Sequence, residues 1–151
     1  MEFKVTHNVS QQDIAEIHSK LKAYNLSRRE ASKEIPIGVF LEDENGVKKA
    51  GLTGEIYGNW LCIKYLWVSA ELRNQGFGSK LQQKAEADAL SQGARYVFVD
   101  TFDFQAPAFY RKQCYQEVFR LFDYPYTGER CYYIKHLVHS SPTASQTEAS
   151  Q

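Results

Sequence analysis

The sequence predicts an α+β domain: a mixed, mostly antiparallel sheet with helices on both faces. Three observations point there. Strand-like segments between Ile37 and Val68 follow one another through short glycine turns, which is hairpin order. The last of them, ending Tyr65-Leu66-Trp67-Val68, feeds a glycine-rich turn and then a helix. After that helix comes Tyr96-Val97-Phe98-Val99, apolar on both faces, as a buried strand reached by a helical crossover should be.

Element by element, Phe3, Val5 and His7 alternate with Lys4 and Thr6, so Phe3–Asn8 is expected to be a first strand. Ser10-Gln11-Gln12-Asp13 reads as a capping box, and Ile14, Ile17 and Leu21 recur at helical spacing, giving a helix to about Tyr24. Asn25–Glu34 is polar and holds either a short second helix or a loop. Ile37–Glu42 and Lys48–Tyr57 are strands around Asp43-Glu44-Asn45-Gly46, whose Asn-Gly suits positive φ. Gly58-Asn59 turns the chain into the strand Trp60–Val68. The helix from about Gly76 to Leu90 places Phe77, Leu81, Ala85 and Ala89 on one face, with Lys80, Gln83, Lys84 and Asp88 outward. Gln92-Gly93 ends it, Tyr96–Asp100 is the next strand, and Pro107 suits the first turn of another helix. Tyr115–Phe122 and Cys131–Val138 close the domain around Tyr-Pro-Tyr-Thr-Gly.

The 151 residues fit one domain, here 1–138, followed by a tail over 139–151 in which Ser140–Gln151 carries no large apolar residue and is expected to be disordered. Acidic and basic residues balance to a net charge of zero, which argues against a nucleic-acid partner. No apolar run reaches membrane-spanning length, and Met1-Glu2-Phe3-Lys4 lacks the pattern of a secretory signal. Three cysteines, Cys62, Cys114 and Cys131, show no metal spacing and suit a reduced, cytoplasmic setting. His7, His18, His136 and His139 form no metal or triad pattern, so no metal is expected.

Arg73-Asn74-Gln75-Gly76-Phe77-Gly78-Ser79 carries the clearest chemistry. A glycine turn at a helix N-terminus offers unpaired N–H groups and the positive end of the helix dipole to an anion, and glycine lets a phosphate approach the backbone. The stretch is neither a dinucleotide fingerprint, because Leu81 replaces the third glycine, nor a mononucleotide P-loop. Arg-x-x-Gly-x-Gly after a Val-ended strand resembles the coenzyme A pyrophosphate loop of the GNAT superfamily of N-acetyltransferases. Gln105-Ala106-Pro107-Ala108-Phe109-Tyr110-Arg111-Lys112-Gln113-Cys114-Tyr115 resembles the family's second motif through Ala108, Phe109, Tyr110, Lys112 and Tyr115. Gln105 stands near the usual Asn, and Cys114 stands at the usual Gly, which suggests a helix exit that needs no left-handed residue.

The resemblance extends to about Leu137 and implies an acetyltransferase domain whose strands ending at Val68 and Asp100 splay apart. It implies acetyl-coenzyme A as co-substrate, held by Arg73, Asn74, Gln75, Gly76, Phe77, Gly78 and Ser79, by the backbone of Leu66, Trp67 and Val68, and by Gln105 and Phe109. The side chains of Leu66, Trp67 and Val68 are expected in the core. Tyr110 is the implied general acid, since a phenol stays protonated at neutral pH and can donate to a thiolate. For the general base the family's Glu position falls near Cys62, a poor base, which leaves Glu55 as the tentative choice and Asp100, Asp103 or water as alternatives. The expected reaction is acetyl transfer to a primary amine by direct attack in a ternary complex. A small-molecule amine is the expected acceptor, lined by Tyr24, Tyr124, Tyr126, Tyr132 and Tyr133 with Asp123 and Glu129 near. The alternatives are a protein or peptide acceptor and a non-catalytic acyl-coenzyme A-binding module. Neither membrane nor nucleic acid is expected as partner, and the enzyme is expected to be a monomer or a homodimer.

Overall fold

The computed structural model describes residues 1–30 and 33–137; the tail expected over 139–151 lies outside them. The chain divides into Met1–Ser32 and Lys33–Gln151. Helix α1, Gln11–Leu26, starts at the capping box: Ser10 Oγ accepts the Asp13 N–H at 3.1 Å, and Asp13 Oδ2 accepts the Ser10 N–H at 2.9 Å. Each bond satisfies a donor that helix geometry leaves without a partner. Phe3–Asn8 is not a strand. Alternation makes a strand only where a neighbour takes up the ladder, and the six sheet strands all lie between Glu34 and His136.

Three hairpin-connected strands follow: β1 (Glu34–Glu42), β2 (Lys48–Tyr57) and β3 (Trp60–Val68). Asp43 Oδ1 fixes the first turn by accepting the N–H groups of Asn45 and Val47, both at 2.9 Å, with Gly46 at φ +76°. A 3₁₀ turn, Ala70–Leu72, leads into α2 (Phe77–Ser91), then β4 (Tyr96–Phe102), α3 (Pro107–Lys112), β5 (Gln116–Leu121) and β6 (Arg130–His136). The sheet order is β1-β2-β3-β4-β6-β5, antiparallel except for β3 and β4, which the α2 crossover makes parallel.

One sheet face carries the core. Leu52, Ile56, Leu61, Ile63, Val97, Val99, Cys131 and Tyr133 pack with Leu81, Ala85 and Ala89 of α2 and with Tyr110 and Tyr115. Gln82 and Glu86 of α2 are buried as well, which periodicity alone does not anticipate. Glu86 is satisfied there by Tyr115 Oη and Lys135 Nζ, both at 2.8 Å, so one carboxylate ties α2 to the exit of α3 and to β6.

Two backbone features correct the sequence reading. Cys114 does adopt a left-handed conformation, φ +66°: the turn's geometry is kept although its side chain is not glycine. Trp67 is not core; it is 52% exposed, and Tyr65 is 76% exposed. A bulge is responsible. Thr53 faces Tyr65 but Gly54 faces Ile63, leaving Lys64 as an extra residue on β3. Before the bulge Leu61 and Ile63 point to the core, and after it Leu66 and Val68 do. The residues between them are thereby turned to the other face.

Gly54 is the partner this bulge requires, since an added Cβ would stand 2.4 Å from the Cys62 carbonyl oxygen. Gly54→Ala is therefore expected to destabilise the fold by about 1–3 kcal/mol, the usual cost of overpacking. Urea denaturation measures it. Cys114→Gly works in the opposite direction. Left-handed backbone costs a non-glycine residue about 1–2 kcal/mol, partly offset by glycine's freer unfolded chain. A rise of about 2–4 °C in melting temperature is expected on calorimetry.

Candidate active site

β3 and β4 pair only at Trp60–Tyr96, Leu61–Val97 and Cys62–Phe98. Immediately beyond, the bulge at Lys64 bends β3 away and a cleft of about 790 Å³ opens between the strands. The cleft passes through the sheet. Toward the helices it is lined by Leu66, Val68, Val99, Thr101 and Tyr110, and toward the opposite face by Lys64, Tyr65, Trp67, Asp100, Phe102 and Arg130. The splay implied by the two motifs is thus present.

Beyond Cys62 the inner edge of β3 is, among the described residues, a row of backbone groups without a strand beside them. The Ser69 N–H bonds the Lys49 carbonyl at 2.9 Å, which sets the ladder's phase. Residues of β3 alternate in direction, so Trp67 turns to β2 while Leu66 and Val68 turn their N–H and C=O groups to the cleft. Arg73 uses one of these, its Nε donating to the Val68 carbonyl at 3.1 Å. That contact accounts for Arg73 structurally, by tying the loop to the strand.

The loop after β3 is shaped by two left-handed residues, Asn74 at φ +59° and Gly76 at φ +81°. The first α2 bond is Lys80 N–H to the Gly76 carbonyl at 3.1 Å, so the N–H groups of Phe77, Gly78 and Ser79 lie ahead of the helical ladder. Gly76, as N-cap, has no side-chain oxygen to cover them. Gln75 bends back to the Glu71 carbonyl at 2.8 Å, and Ser79 Oγ accepts from Gln113 Nε2 at 2.9 Å. The Phe109 ring lies against Gly78, where an added Cβ would meet Cε2 at 3.4 Å. What the loop presents outward is therefore backbone N–H, in a helix-end field favourable to anions.

Tyr110 is brought to the cleft by α3 and is almost wholly buried, stacked on Tyr133 at 5.7 Å and edge-on to Phe109 and Tyr115. Burial, and then the charge of Asp100, push its phenol up to about 12. Gln105 also reaches the cleft, but its Oε1 is occupied by Thr101 Oγ1 and the Phe102 N–H, both at 3.0 Å. It closes off the end of β4 and leaves its amide NH₂ as the remaining donor group.

Glu55 is set apart from the other candidates. It stands on β2 opposite Cys62, accepts from Lys64 Nζ at 2.9 Å, and does not line the cleft. The Cys62 thiol is pushed up by burial and by Glu55, which leaves it a poor nucleophile. Asp100 does line the cleft, and Arg130 Nε donates to it at 2.5 Å. Of the tyrosines expected around the acceptor, Tyr124, Tyr132 and Tyr133 do not line the cleft: Tyr133 is in the core, Tyr132 packs between Phe98 and Phe119, and Tyr124 leans on Phe102. Glu129 is bonded to Arg120. Phe102, Phe104 and Arg130 do line the cleft, and the sequence reading does not include them. Phe102 follows from Asp100 by strand alternation, whereas Arg130 arrives only through the β4–β6 register. Among the described residues no group of His, Cys, Asp or Glu is arranged to hold a metal ion, and no helix is long and apolar enough to cross a membrane.

Comparison with known proteins agrees with this geometry. The model of the "Acetyltransferase (GNAT) family" matches residues 11–114, and the chain belongs to that family. Blasticidin-S acetyltransferase of Streptomyces morookaense is 41% identical over 83 residues, 54% of this chain and 61% of that protein's length. A crystal structure of an acetyltransferase from Bacillus cereus superposes with a TM-score of 0.80 at 31% identity, over 89% of this chain and 98% of that one. Aminoglycoside 6'-N-acetyltransferase, solved with coenzyme A, shares the fold at a TM-score of 0.62 and 14% identity, over 88% and 84% of the two chains.

Gly78 is where the loop and the second motif meet. Gly78→Val would press on Phe109 and cover the helix end. It is expected to weaken acetyl-coenzyme A binding at least tenfold, about 1.4 kcal/mol, in a folded protein. Calorimetric titration alongside a melting curve checks both halves of this expectation.

Proposed function

We propose that the chain transfers an acetyl group from acetyl-coenzyme A to a primary amine of a small molecule, by direct attack in a ternary complex. The observation that carries this reading is the through-sheet cleft, lined at one end by Val68 and Arg73, next to the loop that runs into the uncapped N-terminus of α2, and on the other face by polar and aromatic side chains. In this reading the pyrophosphate sits on the N–H groups of Phe77, Gly78 and Ser79. The pantetheine arm adds to the open edge of β3 as a further strand would. The N–H groups of Leu66 and Val68 then serve the coenzyme's carbonyls, and one polarises the thioester. A donor so placed is worth roughly 3 kcal/mol in the transition state.

The amine enters from the face of Asp100 and Arg130. Its nitrogen forms the bond to the acetyl carbon, the C–S bond breaks, and the electron pair leaves on sulfur. Tyr110 hands its phenolic proton to that thiolate. The ammonium proton passes to Asp100, which lines the cleft, or to water; Glu55 stands outside the cleft lining. The small-molecule acceptor is supported by the relative named for blasticidin S and by the confinement of the cleft between two strands. Thiol release across polyamines, amino sugars, aromatic amines and lysine peptides tests it. Preference for peptides by several orders of magnitude would overturn the small acceptor. Coenzyme binding with no transfer to any amine would favour a non-catalytic acyl-coenzyme A-binding module.

Tyr110→Phe is expected to lower kcat by about 10- to 1,000-fold, with coenzyme affinity little changed. The acid form of Tyr110 is the active one and is lost only as pH rises through about 12. Wild-type kcat therefore shows no alkaline decline from this group up to about pH 10. A pH–rate profile under single-turnover conditions reads both effects.

A further inference from the structure

We infer that the acceptor side of the cleft takes a planar aromatic or heteroaromatic amine rather than a flexible polycation. The inference rests on the acetyl-transfer reading above and specifies its substrate class. Two aromatic walls flank the opening. On β3 the bulge turns Tyr65 and Trp67 outward, 76% and 52% exposed. Neither stacks on another ring among the described residues. Across the gap Phe102 and Phe104 lie face to face, centroids 5.2 Å apart and planes within 17°. Arg130 covers Phe102 at 4.5 Å, while Phe104 stays 78% exposed. Exposed apolar rings gathered at one cleft are a feature of surfaces that receive a ligand. A flat ring set against them regains contact area and stacking that an aliphatic chain does not supply.

Charge narrows the class further. The ionisable side chains lining the cleft, tyrosines aside, are Lys64, Arg73 and Arg130 against the single carboxylate of Asp100. Asp100 is neutralised by Arg130, and Glu55, beside the cleft, by Lys64. A polyamine or a multiply charged amino sugar meets no surplus of negative charge there. A single amine on a planar ring system carries less positive charge into this field and uses the aromatic walls.

The test compares tryptamine with 1,6-diaminohexane, spermidine and kanamycin as acceptors, by kcat/KM at saturating acetyl-coenzyme A. Binding of tryptamine to the coenzyme A-loaded protein is measured separately by calorimetry. Tryptamine is expected to exceed the aliphatic amines by about tenfold or more. Phe104→Ala should raise its KM about tenfold, Phe104→Tyr should restore it, and the KM of acetyl-coenzyme A should stay unchanged in both. Equal or better use of the polycations, an unchanged tryptamine KM in Phe104→Ala, or no saturable tryptamine binding would each overturn the inference. Acetyl-coenzyme A binding without acetylation of any amine would instead overturn the transfer reading, with tryptamine binding still deciding the aromatic site.

Discussion

The site depends on one extra residue. No residue of β2 stands opposite Lys64 in the register, and the backbone of β3 makes room for it by bulging over Gly54. Three consequences follow from that insertion. β3 leaves β4 after three paired positions, so the sheet opens where both strands are still extended. Side-chain alternation shifts by one, which sends Leu66 and Val68 to the core and Tyr65 and Trp67 to the opposite face. The backbone groups of Leu66 and Val68 are left facing the gap. A regular ladder would have buried this edge against β4 and offered no surface to an extended ligand.

An open sheet needs its two halves held by something other than the missing ladder. Here α2 and α3 bridge them on the core side. Leu81, Ala85 and Ala89 of α2, which lies over β1, β2 and β3, share one core with Val97 and Val99 of β4, and Tyr110 of α3 stacks on Tyr133 of β6. Gln113 joins the end of α3 to Ser79 in the first turn of α2, and Glu86 joins α2 to Tyr115 and Lys135. The last of these is a buried polar network in which both carboxylate oxygens are satisfied, so it specifies one arrangement of α2, α3 and β6. The same packing isolates Tyr110 from water, which keeps its proton on. Stability and the acid role proposed for Tyr110 thus draw on a single set of contacts.

The half of the site proposed for the coenzyme is legible in the sequence because it is made of local, consecutive residues. Arg73 to Ser79 form one turn, and Ala108 to Tyr115 one short helix and its exit, so spacing along the chain is spacing in space. Even there the chemistry of single residues misleads. Cys114 keeps the left-handed geometry that its identity argues against, and Gln105 spends its carbonyl oxygen on β4. The half proposed for the acceptor is not legible in the same way. Whether Trp67 faces core or cleft turns on a bulge that no periodicity announces, and Arg130 reaches Asp100 only because β6 pairs with β4 in one register. Phe3–Asn8 shows the converse, a good alternation that forms no strand.

This division has a physical meaning for specificity. On the helix side the groups available to the coenzyme are main-chain N–H groups, which are the same for any side chain the fold tolerates. On the opposite face the groups are side chains on alternate positions of β3, β4 and β6, held by a scaffold that does not depend on their identity. Replacing Tyr65 or Phe104, both largely exposed, disturbs little of the core. Replacing Leu66 or Val68 disturbs packing and coenzyme edge together. In the proposed reading, a fold arranged in this way can change its acceptor by surface substitutions on one face while the coenzyme chemistry, set by backbone and bulge on the other, stays fixed.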